Sequence, residues 1–158
     1  MPAGAINRIE KISAMIGFFE FQYLSFKKKS LGNLIAIARS DGHLDTSEEH
    51  LLYKLGNRYG LKDRQISIMI NNTKPYELFV PGSHEQRMNM FYDLMQLVYA
   101  DGIIATEEVD FCHHTAEKFG YTPEIVPWLL RIFRDNPAPS QEEWKKHIDS
   151  AKNFISEN

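Results

Sequence analysis

Residues 34–61, LIAIARSDGHLDTSEEHLLYKLGNRYGL, align without a gap on residues 94–121, LMQLVYADGIIATEEVDFCHHTAEKFGY, sixty positions later. Asp41 meets Asp101, Gly42 meets Gly102, Thr46 meets Thr106, Glu48 meets Glu108 and Gly60 meets Gly120. The neighbours drift: Glu49 faces Val109, Asp45 faces Ala105 and His50 faces Asp110. Self-similarity at a fixed offset marks a repeated structural unit. The chain therefore reads as an internal duplication of a helix, a turn and a second helix.

Outward from the repeat, apolar residues recur every three or four positions, the spacing of amphipathic helices. Ile6, Ile9, Ile12, Ile16, Phe19 and Tyr23 predict an N-terminal helix over about 5–29, and Ser30 opens a second helix that runs to Ser40. Helices follow at about 47–59 and 63–71, and then "NTKPYELFVPGS", with two prolines and a glycine, reads as a loop. Ser83 with Gln86 begins the next helix, and Ser140 with Glu143 begins a tail helix over 140–158, with Trp144, Ile148, Ala151 and Ile155 on one face. Between them, helices are expected at about 106–119 and within 122–135, where Pro127 would kink or restart the second. The expected fold is an all-α bundle of about seven to eight helices in one domain spanning 1–158.

Composition narrows the function classes. The 158 residues are 43% hydrophobic, enough for one core, and the net charge of −3 provides no basic field for nucleic acid. The single cysteine, Cys112, rules out an internal disulfide and points to a reducing compartment, the cytoplasm. No run reaches the ~18 apolar residues of a membrane span.

The turn "SDGHLDTSEE" looks like half a calcium loop. With Gly42 at loop position 6, Asp41 falls at position 5 and Glu48 at position 12, but positions 1 and 3 become Ile37 and Arg39. In the second copy they become Leu97 and Tyr99, so neither turn builds an ordinary calcium cage alone. Helical spacing puts Asp41 at the end of the Leu34, Ile37 stripe and Glu48 above Leu51, Leu52 and Leu55. Asp101 and Glu108 take the same places in the second copy. Each turn is thus expected to aim one Asp and one Glu inward, where they need partners. Backbone amides can supply these, with Gly42 and Gly102 in the left-handed conformation and Thr46 and Thr106 as caps. A cation shared by the two acidic corners can supply them too.

The paired ADG or SDG, with an aliphatic two residues on and Glu four further, resembles the tellurite-resistance TerB-like family, which includes the N-terminal domain of the co-chaperone DjlA. The resemblance covers about residues 30–135. It implies an all-α fold with paired helices related by a pseudo-twofold, and a non-catalytic protein-interaction module of stress response at the inner face of the membrane. It also implies a divalent cation, calcium or magnesium, at Asp41, Glu48, Asp101 and Glu108. Ala105, facing Asp45, departs from a symmetric acidic set, and without an HPD tripeptide no J-domain activity is implied.

Other constellations carry less. Neighbours in "CHH", 112–114, point about 100° apart on a helix and cannot converge on one ion, though His113 with Glu117 and His114 with Asp110 have metal-compatible spacing. No GxSxG, phosphate-cradling loop or nucleophile with a base is present; an enzyme would have to be a metal-dependent hydrolase using the same carboxylates. Finally, "GFFEFQYLSFKKK" sets Phe18, Phe19 and Phe21 beside Lys27, Lys28 and Lys29, a pattern for a peripheral membrane or protein contact, against which Glu20 and ordinary core packing count.

Overall fold

The computed structural model describes residues 24–157, and the N-terminal helix expected over 5–29, with Phe18, Phe19 and Phe21, lies mostly outside them. Among the described residues the fold is all-helical. Helix α1 covers 24–38, and α2 (Thr46–Arg58), α3 (Asp63–Asn71), α4 (His84–Val98), α5 (Thr106–Lys118), α6 (Ile125–Asp135) and α7 (Gln141–Ser150) follow, with a closing 3-10 turn at Ala151–Phe154.

The two longest helices among the described residues, α1 and α4, are the most enclosed. Leu31, Leu34, Ile35, Ile37 and Ala38 of α1 are buried, as are Met88, Met90, Phe91, Leu94, Met95, Leu97 and Val98 of α4. A helix apolar around most of its girth has to be covered on several sides. Around α4 stand α2, α6 and α7, while α2 pairs with α3 and α5 with α6. The α2–α3 pair closes over Gly56, where a Cβ would sit 2.7 Å from Ile66 Cδ1, so any larger residue would force the Ile66 side chain to shift. On the other side Phe91 meets Phe119 edge to face with centroids 5.4 Å apart, and Trp144 packs on Tyr92 and Phe133 at 5.1 and 5.5 Å.

Polar side chains pin the long connections. The Asn33 amide, fully buried in α1, donates to Phe79 O and accepts from Phe79 N, both at 2.8 Å, which ties down the 72–83 loop. The Arg58 guanidinium and the Tyr59 hydroxyl both donate to the buried Asp93 carboxylate and so join the end of α2 to α4. His84 bridges α4 to the Tyr121 hydroxyl at 2.6 Å and to Ile148 O at 2.7 Å. Because a carbonyl can only accept, Nε2 carries a proton toward Ile148. The chain end is tied to the α5–α6 connection by Thr122 N to Phe154 O and Ser156 N to Gly120 O, each 2.7 Å.

Several expected boundaries are corrected. Ser30 does not open a helix: α1 runs through it unbroken, because Leu31, Leu34 and Ile35 continue one buried stripe and no breaker intervenes. The tail helix stops at Ser150, the 3-10 turn redirects the chain, and Ile155, 47% exposed, leaves the face shared by Trp144 and Ala151 to bridge Tyr121. Pro127 does not kink α6, since it falls in the first turn, where a missing N–H leaves no bond unmade. The caps of α2 and α5 are Asp45 and Ala105, with Thr46 and Thr106 exposed as first helical residues.

The connections after α1 and α4 use the same backbone. Gly42 N bonds Arg39 O at 2.9 Å and Gly102 N bonds Tyr99 O at 3.4 Å, with φ of 85° and 76° at the two glycines. Neither glycine has any atom within 4 Å of a built Cβ, so the demand for glycine is purely conformational. Gly42→Ala and Gly102→Ala are each expected to destabilise the protein by roughly 1–2 kcal/mol and lower Tm by about 2–8 °C. Gly82→Ala, equally uncrowded but without a left-handed φ, should leave Tm unchanged in the same thermal melts.

Candidate functional site

The two turns meet. After each left-handed glycine the preceding aspartate closes an Asx turn: Asp41 accepts from His43 N at 2.9 Å and Asp101 from Ile103 N at 3.0 Å. Both aspartates are exposed, which corrects the expectation that they point inward. Helices α1 and α4 end three residues before them, so the helical stripe that would have carried them inside no longer applies. The glutamates do turn inward. Glu48 and Glu108, at the third position of α2 and α5, are each only 6% exposed.

The starts of α2 and α5 differ in their capping. Asp45 Oδ1 accepts from Glu48 N at 2.9 Å and from the Ser47 hydroxyl at 2.7 Å. Alanine cannot do this at 105, and there Glu108 Oε1 reaches back to Ala105 N at 3.1 Å. Glu48 is thereby left free of capping duty. Asp45, whose counterpart Ala105 breaks the symmetry of the acidic set, is not among the ligands expected from the sequence, yet it is central: oxygens of Asp45, Glu48 and Asp101 lie within 4.8 Å of one another. Among the described residues no other trio of Asp, Glu, His and Cys side chains comes together in this way. The D-T-S-E spacing of a capping box was the available signal.

Electrostatics follow from this crowding. Burial, with the Asp45, Glu108 and Asp41 charges adding, pushes the Glu48 carboxyl up to about 8. Burial likewise pushes Glu108 up to about 7; its bond from Ala105 N–H opposes the rise, and Asp101, Asp41 and Asp45 add to it. The Glu48 N–H and the Ser47 hydroxyl hold Asp45 below its ordinary range. Charges of each turn thus act on the buried glutamate of the other. Among the described residues none of these carboxylates has a salt-bridge partner. Clustered oxygens of this kind suit a hard cation of the calcium or magnesium class, and without one they favour a retained proton.

Comparison with protein-family models, curated proteins and solved structures returned no match. The remaining sequence candidates are dispersed. Cys112 is fully buried and its thiol is pushed up to about 12, chiefly by burial, so it is closed to nucleophilic chemistry. His113, His114 and Glu117 line a surface groove with Tyr121 and Pro123. Lys28 and Lys29 are exposed, with Lys29 Nζ 5.6 Å from the Phe79 ring centre, while Lys27 lies half-buried beside Gly60. No helix of the described residues is long and apolar enough to cross a membrane.

A pH dependence follows. In the unfolded chain both glutamates lose their protons near 4.5, whereas the folded chain keeps them up to about 8 and about 7. Between those limits the folded state binds more protons, so stability falls as pH rises. In chelator-treated buffer Tm should drop from pH 5 to pH 8, and Glu48→Gln, which cannot ionise, should flatten the drop and melt higher than wild type at pH 8. A wild-type Tm flat over this range would contradict the assignment.

Proposed function

We propose that the chain is a TerB-like, non-catalytic protein-interaction module of the cytoplasm, serving in stress response, whose two acidic turns together hold one divalent cation. The observation that carries the reading is the convergence of Asp45 and Glu48 from one turn with Asp101 from the other, beside the buried Glu108. The ligand set differs from the one expected: Asp45 enters it, and Asp41 serves from the side by its charge on both glutamates. Each turn supplies only part of a cage, consistent with loop positions 1 and 3 being Ile37 and Arg39, or Leu97 and Tyr99. Together they supply enough carboxylate oxygen for calcium or magnesium.

Binding would clamp two helix pairs at one point and fix the surface around it. That surface includes Ile103, 72% exposed, and Ile104, 40% exposed, in the second turn. An apolar pair standing out of an acidic rim suits a partner protein that offers apolar side chains flanked by basic ones. The repeated backbone of the turns, and the motif resemblance they carry, support the duplicated architecture as part of the same reading.

Thermal melts with calcium, magnesium, manganese and zinc test the site. At about 100 times Kd a cation should raise Tm by about 5–10 °C. The Asp45→Asn, Asp101→Asn double variant should melt the same with and without it. Because the cation displaces protons from the glutamates, the rise should grow from pH 5 to pH 8. Identical melting of wild type in every cation would remove the cation site and leave the interaction role to pull-down experiments with Ile103→Ser.

A further inference from the structure

Apart from the acidic turns, the connection between α3 and α4 builds a second candidate site. Residues 72–83 are twelve positions without helix or strand, longer than the roughly 2–8 residues that usually join helices. The loop is nonetheless held at several points. The Tyr76 hydroxyl donates to Met69 O at 2.7 Å, the Arg39 guanidinium lies 6.0 Å from the Tyr76 ring centre, and the buried Asn33 amide makes two bonds to the Phe79 backbone. Phe79 also meets Phe26 edge to face, with centroids 5.4 Å apart. Between this loop, α1 and α3 lies a cavity of about 460 Å³, walled by Met69, Tyr76, Leu78 and Phe79. Gly32 forms its α1 side, and a Cβ there would come 3.2 Å from Tyr76 Cδ1. A residue that is unfavourable inside a helix thus gives the ring its place.

Charge is concentrated where the cavity reaches the surface. Lys28 and Lys29 line it together with one acid, Glu77, and all three are exposed. Lys29 Nζ sits 5.6 Å from the centre of the Phe79 ring, so positive charge borders the apolar wall directly. Neither lysine has an ion-pair partner among the described residues, so an anion can reach both without displacing a carboxylate. We propose that this cavity binds a medium-chain fatty acid, with its carboxylate at the Lys28 and Lys29 ammoniums and its chain along Met69, Tyr76, Leu78 and Phe79. Two ammoniums against one carboxylate leave a single positive charge, which matches a monoanionic head and disfavours a cationic one. The volume falls within the ~300–1,000 Å³ of small-molecule sites, and an apolar wall with a few charged groups at its edge is their usual make-up.

The test is a titration of the ¹⁵N-labelled protein, followed by amide shifts, with octanoate, 1-octanol and octylammonium, which share one chain and differ in the charge of the head. Octanoate should give saturable shifts at Lys28, Gly32, Leu78 and Phe79. 1-Octanol should bind about tenfold more weakly, and octylammonium more weakly still. A Lys28→Gln, Lys29→Gln double variant, changed only at exposed positions, should keep its Tm and bind octanoate no better than 1-octanol. Glu77→Gln should tighten octanoate binding, because it removes the acid facing the carboxylate. Absence of saturable octanoate shifts below its micelle concentration would overturn the proposal. So would equal affinities for octanoate and 1-octanol in wild type, undiminished octanoate binding by the double variant, or weaker binding by Glu77→Gln.

Discussion

Two seven-residue connections, 39–45 and 99–105, set the direction of everything that follows them. In each a helix end is turned by a left-handed glycine, an aspartate accepts from the amide two residues on, and the next helix begins with a glutamate in its first turn facing inward. That geometry decides where α2 and α5 leave α1 and α4, and so which faces of the two central helices they cover. A Cβ at either glycine would meet no neighbour, so backbone conformation rather than packing holds the corner.

The same corners carry a cost. Burying Glu48 and Glu108 near the charges of Asp41, Asp45 and Asp101 is unfavourable for the ionised forms, and no cationic side chain among the described residues pairs with them. Elsewhere the fold settles its buried carboxylate internally, as Asp93 does with Arg58 and Tyr59. Burial still pushes Asp93 upward, but the hydroxyl and the guanidinium beside it oppose the rise. The contrast separates a structural acid, surrounded by donors, from acids whose surroundings leave room for a proton or a metal ion.

Asymmetry between the corners matters as much as their likeness. Asp45 caps α2, whereas Ala105 cannot cap α5, so Glu108 is drawn back to the Ala105 amide. One glutamate is occupied by its own turn and the other is left to the cluster. A three-oxygen group made from Asp45, Glu48 and Asp101 is the outcome, instead of the symmetric foursome that the sequence spacing implied.

Much of the architecture was legible in the residues alone. Helix positions followed from three-to-four spacing and from the Ser83 and Ser140 caps, and the inward direction of Glu48 and Glu108 followed from the stripes they head. These are local properties, fixed by helical geometry within a turn or two. The exposure of Asp41 and Asp101 was misjudged because periodicity was carried past the end of a helix. The role of Asp45 was missed because proximity between residues 45 and 101 belongs to how two separate turns approach, which no spacing along the chain encodes. Sequence determined which segments are helical and which side chains within a helix face in; only the packing of those helices decided which distant side chains share a site.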